Sequence, residues 1–194
     1  MSYRNAKISR ETKETQISIS IDLEGSGSYN VQTPVGFLNH MLELFAKHGD
    51  FDLSVKASGD IDVDYHHLVE DTGIVLGQCI KEALKDFSGI KRYGNKVIPM
   101  DDSLSMVTID LSNRPFLVYN VKFPNEKVGQ MDIELFEEFF QAVVNNLKCN
   151  LHINTFYGKN SHHIIESVFK AFAHSLKEAV TVTGDKTLST KGVL

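Results

Sequence analysis

Apolar and polar positions alternate through TQISISIDL (Thr15–Leu23) and FDLSVKAS (Phe51–Ser58). They recur instead every three or four residues in PVGFLNHMLELFAKHG (Pro34–Gly49) and HHLVEDTGIVLGQCIKEAL (His66–Leu84). A period of two places successive side chains on opposite faces of a strand, and a period near 3.6 lines one side of a helix. The whole succession then returns. NKVIPM, LSMVTIDLS and FLVYNVKF alternate, IELFEEFFQAVVNNL is spaced helically, CNLHINTF alternates again, and HHIIESVFKAFAHSLKEAV (His162–Val180) closes on a helix. With RNAKISR and SYNVQT completing the first half, each half predicts three strands, then helix, strand, helix. GSGS at Gly25–Ser28 and Asn113-Arg114-Pro115 are expected to be hairpin turns between the second and third strands of each half.

The repeat is most literal in the last helix of each half. Without a gap, the two stretches share the paired histidines, the glutamate at Glu70 and Glu166, and Lys-Glu-Ala at Lys81 and Lys177, 96 positions apart. A period near half the chain length signals a duplicated unit. The expected fold is therefore α+β: two half-domains, 1–94 and 95–194, each a four-stranded sheet with two helices on one face, related by a pseudo-twofold axis. The break is placed near Gly94-Asn95, and the second half carries a C-terminal tail.

Composition narrows the functional classes. The chain has 194 residues, 42% hydrophobic and 23% charged, enough to bury a core as one large domain or two small ones. A formal net charge of -5 and a pI near 5.9 argue against nucleic acid or an anionic membrane as the main partner, while leaving room for a small anionic substrate. Cys79 and Cys149 fit no metal or redox spacing and read as packed thiols in a reducing compartment. The N-terminal MSYRNAKISRETKETQ lacks the apolar core of a signal peptide, so a cytoplasmic location is expected.

The chemistry resides in the repeated HHxxE. Residues four apart on a helix lie one above the other, so His66 with Glu70, and His162 with Glu166, each offer an imidazole and a carboxylate to one point. The neighbouring His67 and His163 turn about 100° away and face a different centre. With the helices related by a twofold, His66, Glu70 and His163 would meet at one metal, and His162, Glu166 and His67 at another. By elimination His40 would join the His67 site and His152 the His163 site. A set of imidazoles and carboxylates without thiolate suits Mn, Fe or Zn in a reactive rather than structural role. His174 reads as a partly exposed helix residue. His48, in the HGD that closes a helix, is a candidate substrate contact and also the cation expected at a helix C-terminus.

Taken together, RETKET (Arg10–Thr15), GFLNHML, AKHG, HHLVEDTGIVLGQ, Arg92-Tyr93-Gly94, PMDDSL, DLSNRP, LHI, YGKNSHHIIESVFKAF and STKG (Ser189–Gly192) resemble the imidazoleglycerol-phosphate dehydratase family of histidine biosynthesis over almost the whole chain. The resemblance implies a hydro-lyase converting D-erythro-imidazole-glycerol phosphate to imidazole acetol phosphate, with two Mn2+ per chain bound to the ring nitrogens of the substrate, other divalent metals being possible. It implies a large homo-oligomer, a 24-mer, with sites between subunits. It assigns Glu14 as the acid/base residue and Arg92, Arg114, Ser189, Lys191 and Lys170 to substrate binding, with the tail as a flap over the substrate. Asn39 stands where the family usually has aspartate, in a place expected to orient His40. Two rivals are a non-catalytic dimetal-binding or storage protein and a dimetal hydrolase; the first would have no use for Arg92, Arg114 and STKG.

Overall fold

The computed structural model describes residues 4–192. The first half comprises β1 (Asn5–Glu11), β2 (Thr15–Asp22), β3 (Tyr29–Gln32), α1 (Gly36–Gly49), β4 (Asp52–Gly59) and α2 (His66–Leu84). In the second half are β5 (Tyr93–Met100), β6 (Ser103–Asp110), β7 (Phe116–Asn120), a small hairpin of β8 (Lys127–Val128) and β9 (Met131–Asp132), then α3 (Leu135–Leu147), β10 (Asn150–Tyr157) and α4 (Ser161–Val180). The two large sheets have the same order, β1-β2-β4-β3 and β5-β6-β10-β7. The duplication read from the sequence is thus a duplication of topology.

Neither expected hairpin between the second and third strands forms. β3 pairs in parallel with β4, and β7 in parallel with β10. A parallel pair needs a crossover element, which α1 and α3 supply, so the fourth strand of each half returns between its second and third. GSGS therefore runs from interior β2 to edge strand β3, passing the end of β4. Asp52 at the start of β4 fixes it by accepting hydrogen bonds from the backbone N–H groups of Ser26 (2.8 Å) and Ser28 (3.0 Å). The hairpins that do form join β1 to β2 and β5 to β6.

Alternation along the strands decides which face is covered. Ile17, Ile19 and Ile21 of β2, with Leu53, Val55 and Ala57 of β4, are buried, as are Val107, Ile109, Leu151 and Ile153 of the second sheet. Helix α2 lies on β1 and β2, and α4 on β5 and β6. Across the halves α2 packs on α3 and α1 on α4, which puts the helices between the two sheets. The two crossings are built differently. At Gly73 and Gly77 of α2, an added Cβ would lie 2.6 Å from the carbonyl oxygens of Phe139 and Val143, so only glycine permits this approach to α3. The α1–α4 crossing is filled by stacked Phe45 and Phe172, ring centroids 5.3 Å apart. Among the described residues no helix is long and apolar enough to cross a membrane.

Candidate metal centre and substrate site

Each HH pair sits at the start of a helix, where the first backbone N–H groups have no partner within the helix. Asn160 caps α4, its side chain accepting from the N–H groups of His162 (2.9 Å) and His163 (3.4 Å). Asp64 accepts from the N–H of His66 at 2.7 Å. The caps hold the histidine backbones, while the rings project beyond the helix ends.

One group of ligand types gathers within the chain. His40 of α1, His162 and Glu166 present donor atoms that all lie within 4.8 Å of one another, as sequence elimination had paired them. Glu166 Oε2 is 3.2 Å from His162 Nε2 and 3.7 Å from His40 Nε2, while its Oε1 accepts from Lys170 Nζ at 2.6 Å. Burial works against ionisation of Glu166, yet the Lys170 ammonium, aided by His40 and His162, holds its carboxyl below the usual glutamate range. The set is therefore anionic and preassembled, and its N/N/O donors suit a borderline or hard divalent cation. Phe37 packs edge-on against His162, ring centroids 5.0 Å apart, and limits its rotation.

The remaining candidates are not drawn together in one chain. His66 Nε2 lies 3.9 Å from Glu70 Oε2, on one face as expected, with both side chains exposed. His67 turns its Nδ1 to Asp60 (3.1 Å), and His163 its Nδ1 to Asp102 (2.5 Å). Both imidazoles have raised pKa values, chiefly from those hydrogen bonds. His152 of β10 is paired between Thr108 and Val118 and points to the outer face of its sheet, since its neighbours Leu151 and Ile153 are buried against the helices. A pseudo-twofold within the chain thus does not by itself complete either expected site: among the described residues His40, His162 and Glu166 alone converge.

Arg92 and Arg114 lie at one end of the second sheet, before β5 and between β6 and β7, whereas Lys170 stands by Met100 at the far end of β5. Arg92 is buried with its guanidinium on Asp110, Nε to Oδ1 2.7 Å and Nη2 to Oδ2 3.1 Å, and its Nη1 donates to the carbonyl of Leu188 in the tail at 2.5 Å. Its backbone has φ +72°, a left-handed conformation that costs a non-glycine residue on the order of 1 kcal/mol. Backbone hydrogen bonds to Ala179 and Leu111 on either side of Arg92 hold it there. Arg92 and Ser189 line one cavity with Lys91 and Lys186. Arg114, in the β6–β7 connection, bonds the carbonyl of Ser112, and the N–H of Lys191 donates to Ser189 Oγ. His48 lies against His174, ring centroids 5.5 Å apart; burial and then the nearby Lys170 charge lower its pKa. His174 is a partly exposed residue of α4, as expected, and packs its ring against His48.

Glu14 sits in the β1–β2 turn, its N–H held by Thr12 Oγ1 at 3.1 Å. The turn is tied to α2 through Asp71, which accepts from Thr15 Oγ1 and from Arg10 Nη1 (2.8 Å). Asn39 does not orient His40: its Oδ1 accepts from the N–H of Thr33 and its Nδ2 donates to the Thr33 carbonyl, both at 3.0 Å. A carboxylate could not make the second bond, which gives the asparagine its own structural use. Sequence reasoning missed Asp60, Asp71, Asp102 and Asp110. PMDDSL held the one usable signal, because Asp102 precedes β6 as Glu14 precedes β2.

Residues 33–176 match the family model described as imidazoleglycerol-phosphate dehydratase. The chain belongs to that family. A dehydratase of that name from Clostridium kluyveri is 57% identical over 193 residues, 98% of this chain and 100% of that one. Another from Geobacter sulfurreducens is 55% identical over 193 residues, 98% of this chain and 99% of its own. The crystal structure of the Staphylococcus aureus dehydratase superposes with a TM-score of 0.84 at 44% identity, covering 92% of this chain and 99% of that one. The Pyrococcus furiosus dehydratase, crystallised in complex with (S)-C348, gives 0.84 at 34% identity, with 96% and 100% covered. The chain is thus an enzyme of the hydro-lyase class, acting on a small molecule in histidine biosynthesis, with a duplicated half-domain fold.

Proposed function

We propose that the enzyme removes water from D-erythro-imidazole-glycerol phosphate, giving imidazole acetol phosphate, at divalent metal centres. The single observation that carries this reading is the convergence of His40, His162 and Glu166 in a chain of the dehydratase family. These three, with His67, would hold one cation, and His66, Glu70, His163 and His152 a second, which makes two Mn2+ per chain. Lewis-acid polarisation of the substrate imidazole is the chemistry that bound metal supplies. Since His67, His66, Glu70, His163 and His152 stand apart in one chain, neighbouring copies would complete both sites, which favours a large homo-oligomer such as a 24-mer. Residues 1–94 and 95–194 would be its two repeat units. Buried, unpaired Cys79 and Cys149 fit a reducing cytoplasm.

The chain's own groups divide the remaining work. Glu14 takes the proton from the carbon beside the departing hydroxyl and returns it to that hydroxyl, which leaves as water, and the enol so formed rearranges to the ketone. Arg92, Arg114, Ser189 and Lys191 grip the phosphate, the arginines by two-pronged contacts and the lysine as a point charge. Lys170 keeps Glu166 ionised, and His48 borders the substrate from the end of α1. The tail, tied to Arg92 through Leu188, closes over bound substrate. Incubating purified, metal-assayed protein with imidazole-glycerol phosphate tests the reading. The expected result is an enolisable ketone product, formed only when metal is present. Metal binding with no turnover of this substrate would leave a metal-binding protein or a hydrolase instead.

A further inference from the structure

We infer that Asp60 and Asp102 are positioning residues that fix the tautomer and aim of His67 and His163, leaving each Nε2 as the donor toward a cation. The inference rests on the reading of these histidines as metal ligands. Neutral imidazole carries one proton, and a carboxylate facing Nδ1 keeps it there, so the lone pair remains on Nε2. Asp60 lies 3.1 and 3.3 Å from His67 Nδ1 by its two oxygens, and Asp102 Oδ1 lies 2.5 Å from His163 Nδ1. The nearest carboxylate on the other side of His163, Asp101, is 3.6 Å from Nε2, too far for a hydrogen bond. Its side chain is 69% exposed, so solvent screens its attraction for that nitrogen.

The two carboxylates come from different places in the repeat. Asp60 follows β4, whereas Asp102 precedes β6 in the position that Glu14 holds before β2. In the second half, then, the turn that matches the Glu14 turn holds a histidine. In the first half that duty has moved to Asp60, and Glu14 is left free of it. The supports also differ. Asp102 Oδ2 accepts from the N–H groups of Lys159 (2.5 Å) and Asn160 (3.1 Å), so its orientation is fixed; among the described residues the side-chain hydrogen bonds of Asp60 run to His67 alone.

This difference gives a test on metal-free protein. In Asp102→Asn the backbone N–H groups of Lys159 and Asn160 still require an oxygen, which turns the new NH2 group toward His163 Nδ1. That group can only donate, so the His163 proton should move to Nε2. In Asp60→Asn the amide is free to rotate, its oxygen can face Nδ1–H, and His67 should keep its tautomer, whereas Asp60→Ala should release it. Solid-state 15N spectra of histidine-labelled protein, taken where the rings are neutral and assigned by single-histidine omission, read this directly. Calorimetric Mn2+ titration of the same variants should show roughly 10–100-fold weaker binding for Asp102→Asn and little change for Asp60→Asn. An unchanged His163 tautomer in folded Asp102→Asn overturns the inference, whatever the metal does. Should Asp102→Asn fail to fold, an unchanged His67 tautomer in Asp60→Ala overturns it equally. Wild-type protein that binds no Mn2+ would remove the metal reading instead, and the tautomer result would stand on its own.

Discussion

Glu70 and Glu166 occupy the same place in the two copies of HHxxE, yet their surroundings have diverged. The Glu166 side chain is 9% exposed and paired with Lys170, four residues on; the Glu70 side chain is 44% exposed, and the residue four on is Ile74. His162 and His40 stand beside Glu166, while Glu70 has only His66 within ion-pair distance among the described residues. The outer sheet faces differ as well. The first exposes rows such as Lys7-Ser20-Ser54-Asn30, the second rows such as Val97-Met106-Asn154-Asn120. Duplication supplied one scaffold twice, and each copy then gave the same backbone positions different work. Glu166 gathers His162 of its own helix and His40 of the other half, whereas among the described residues Glu70 meets only His66 and His152 faces outward.

The sharpest way to break this comparison is at the paired turns. Glu14→Gln retains size and hydrogen bonding but removes basicity, so kcat should fall about 10²–10⁴-fold with KM nearly unchanged. Asp102→Asn, at the matching turn, should act instead through metal occupancy, and excess Mn2+ should recover much of its rate. Equal, metal-independent losses in steady-state kinetics would show that the two turns had not specialised.

The two helix crossings offer the next contrast. Phe172→Ala removes the ring stacked on Phe45 at a fully buried position and should cost about 3–5 kcal/mol in denaturant unfolding. Gly77→Ala forces α2 off α3 and should cost about 1–3 kcal/mol, although it adds apolar volume. A neutral or stabilising Gly77→Ala would mean that the glycine-backed crossing is looser than its geometry indicates.

Metal content should separate the two copies more finely. Glu166→Gln should weaken Mn2+ binding to metal-free, unassembled chains by roughly 10-fold or more, while Glu70→Gln should have little effect until chains associate. Calorimetry on dilute and concentrated protein distinguishes these outcomes. Loss at both residues irrespective of concentration would contradict a site preassembled from His40, His162 and Glu166.

The smallest effect concerns acid stability. The Lys91 and Lys96 ammonium groups hold the Glu178 carboxyl down at about 2, against an ordinary 4.5. A depressed folded-state pKa stabilises above the ordinary value and loses that contribution as the pH falls through the folded one. Wild type should therefore lose stability between about 4.5 and about 2, and Glu178→Gln should flatten that limb in acid titrations followed by circular dichroism.

Much of the fold was legible in the chain. Periods of two and 3.6 located the four helices and the main strands, and the in-register HHxxE exposed the duplication. The β8–β9 hairpin was missed because its strands are two residues each, too short for alternation to register; Gly129 at φ +61° was the one signal of its turn. The turns at GSGS and Asn113-Arg114-Pro115 were located correctly but assigned the wrong partners. Local turn chemistry says that the chain reverses, and says nothing of a later strand entering between the two it joins.

Residue type and spacing by themselves determined that His66 and Glu70, and His162 and Glu166, share helix faces, because the helical period is a local property of the backbone. They also determined the donor chemistry, which is fixed by the side chains. Only the tertiary structure decided that His67 stands apart from His40, His162 and Glu166, that His152 faces outward, and that Asp60 and Asp102 stand against the Nδ1 atoms of His67 and His163. Those relations depend on how β4 and β10 insert into their sheets and on how closely the helices cross. Such contacts join residues far apart in the chain, and they are set by the packing of the whole core rather than by any local pattern.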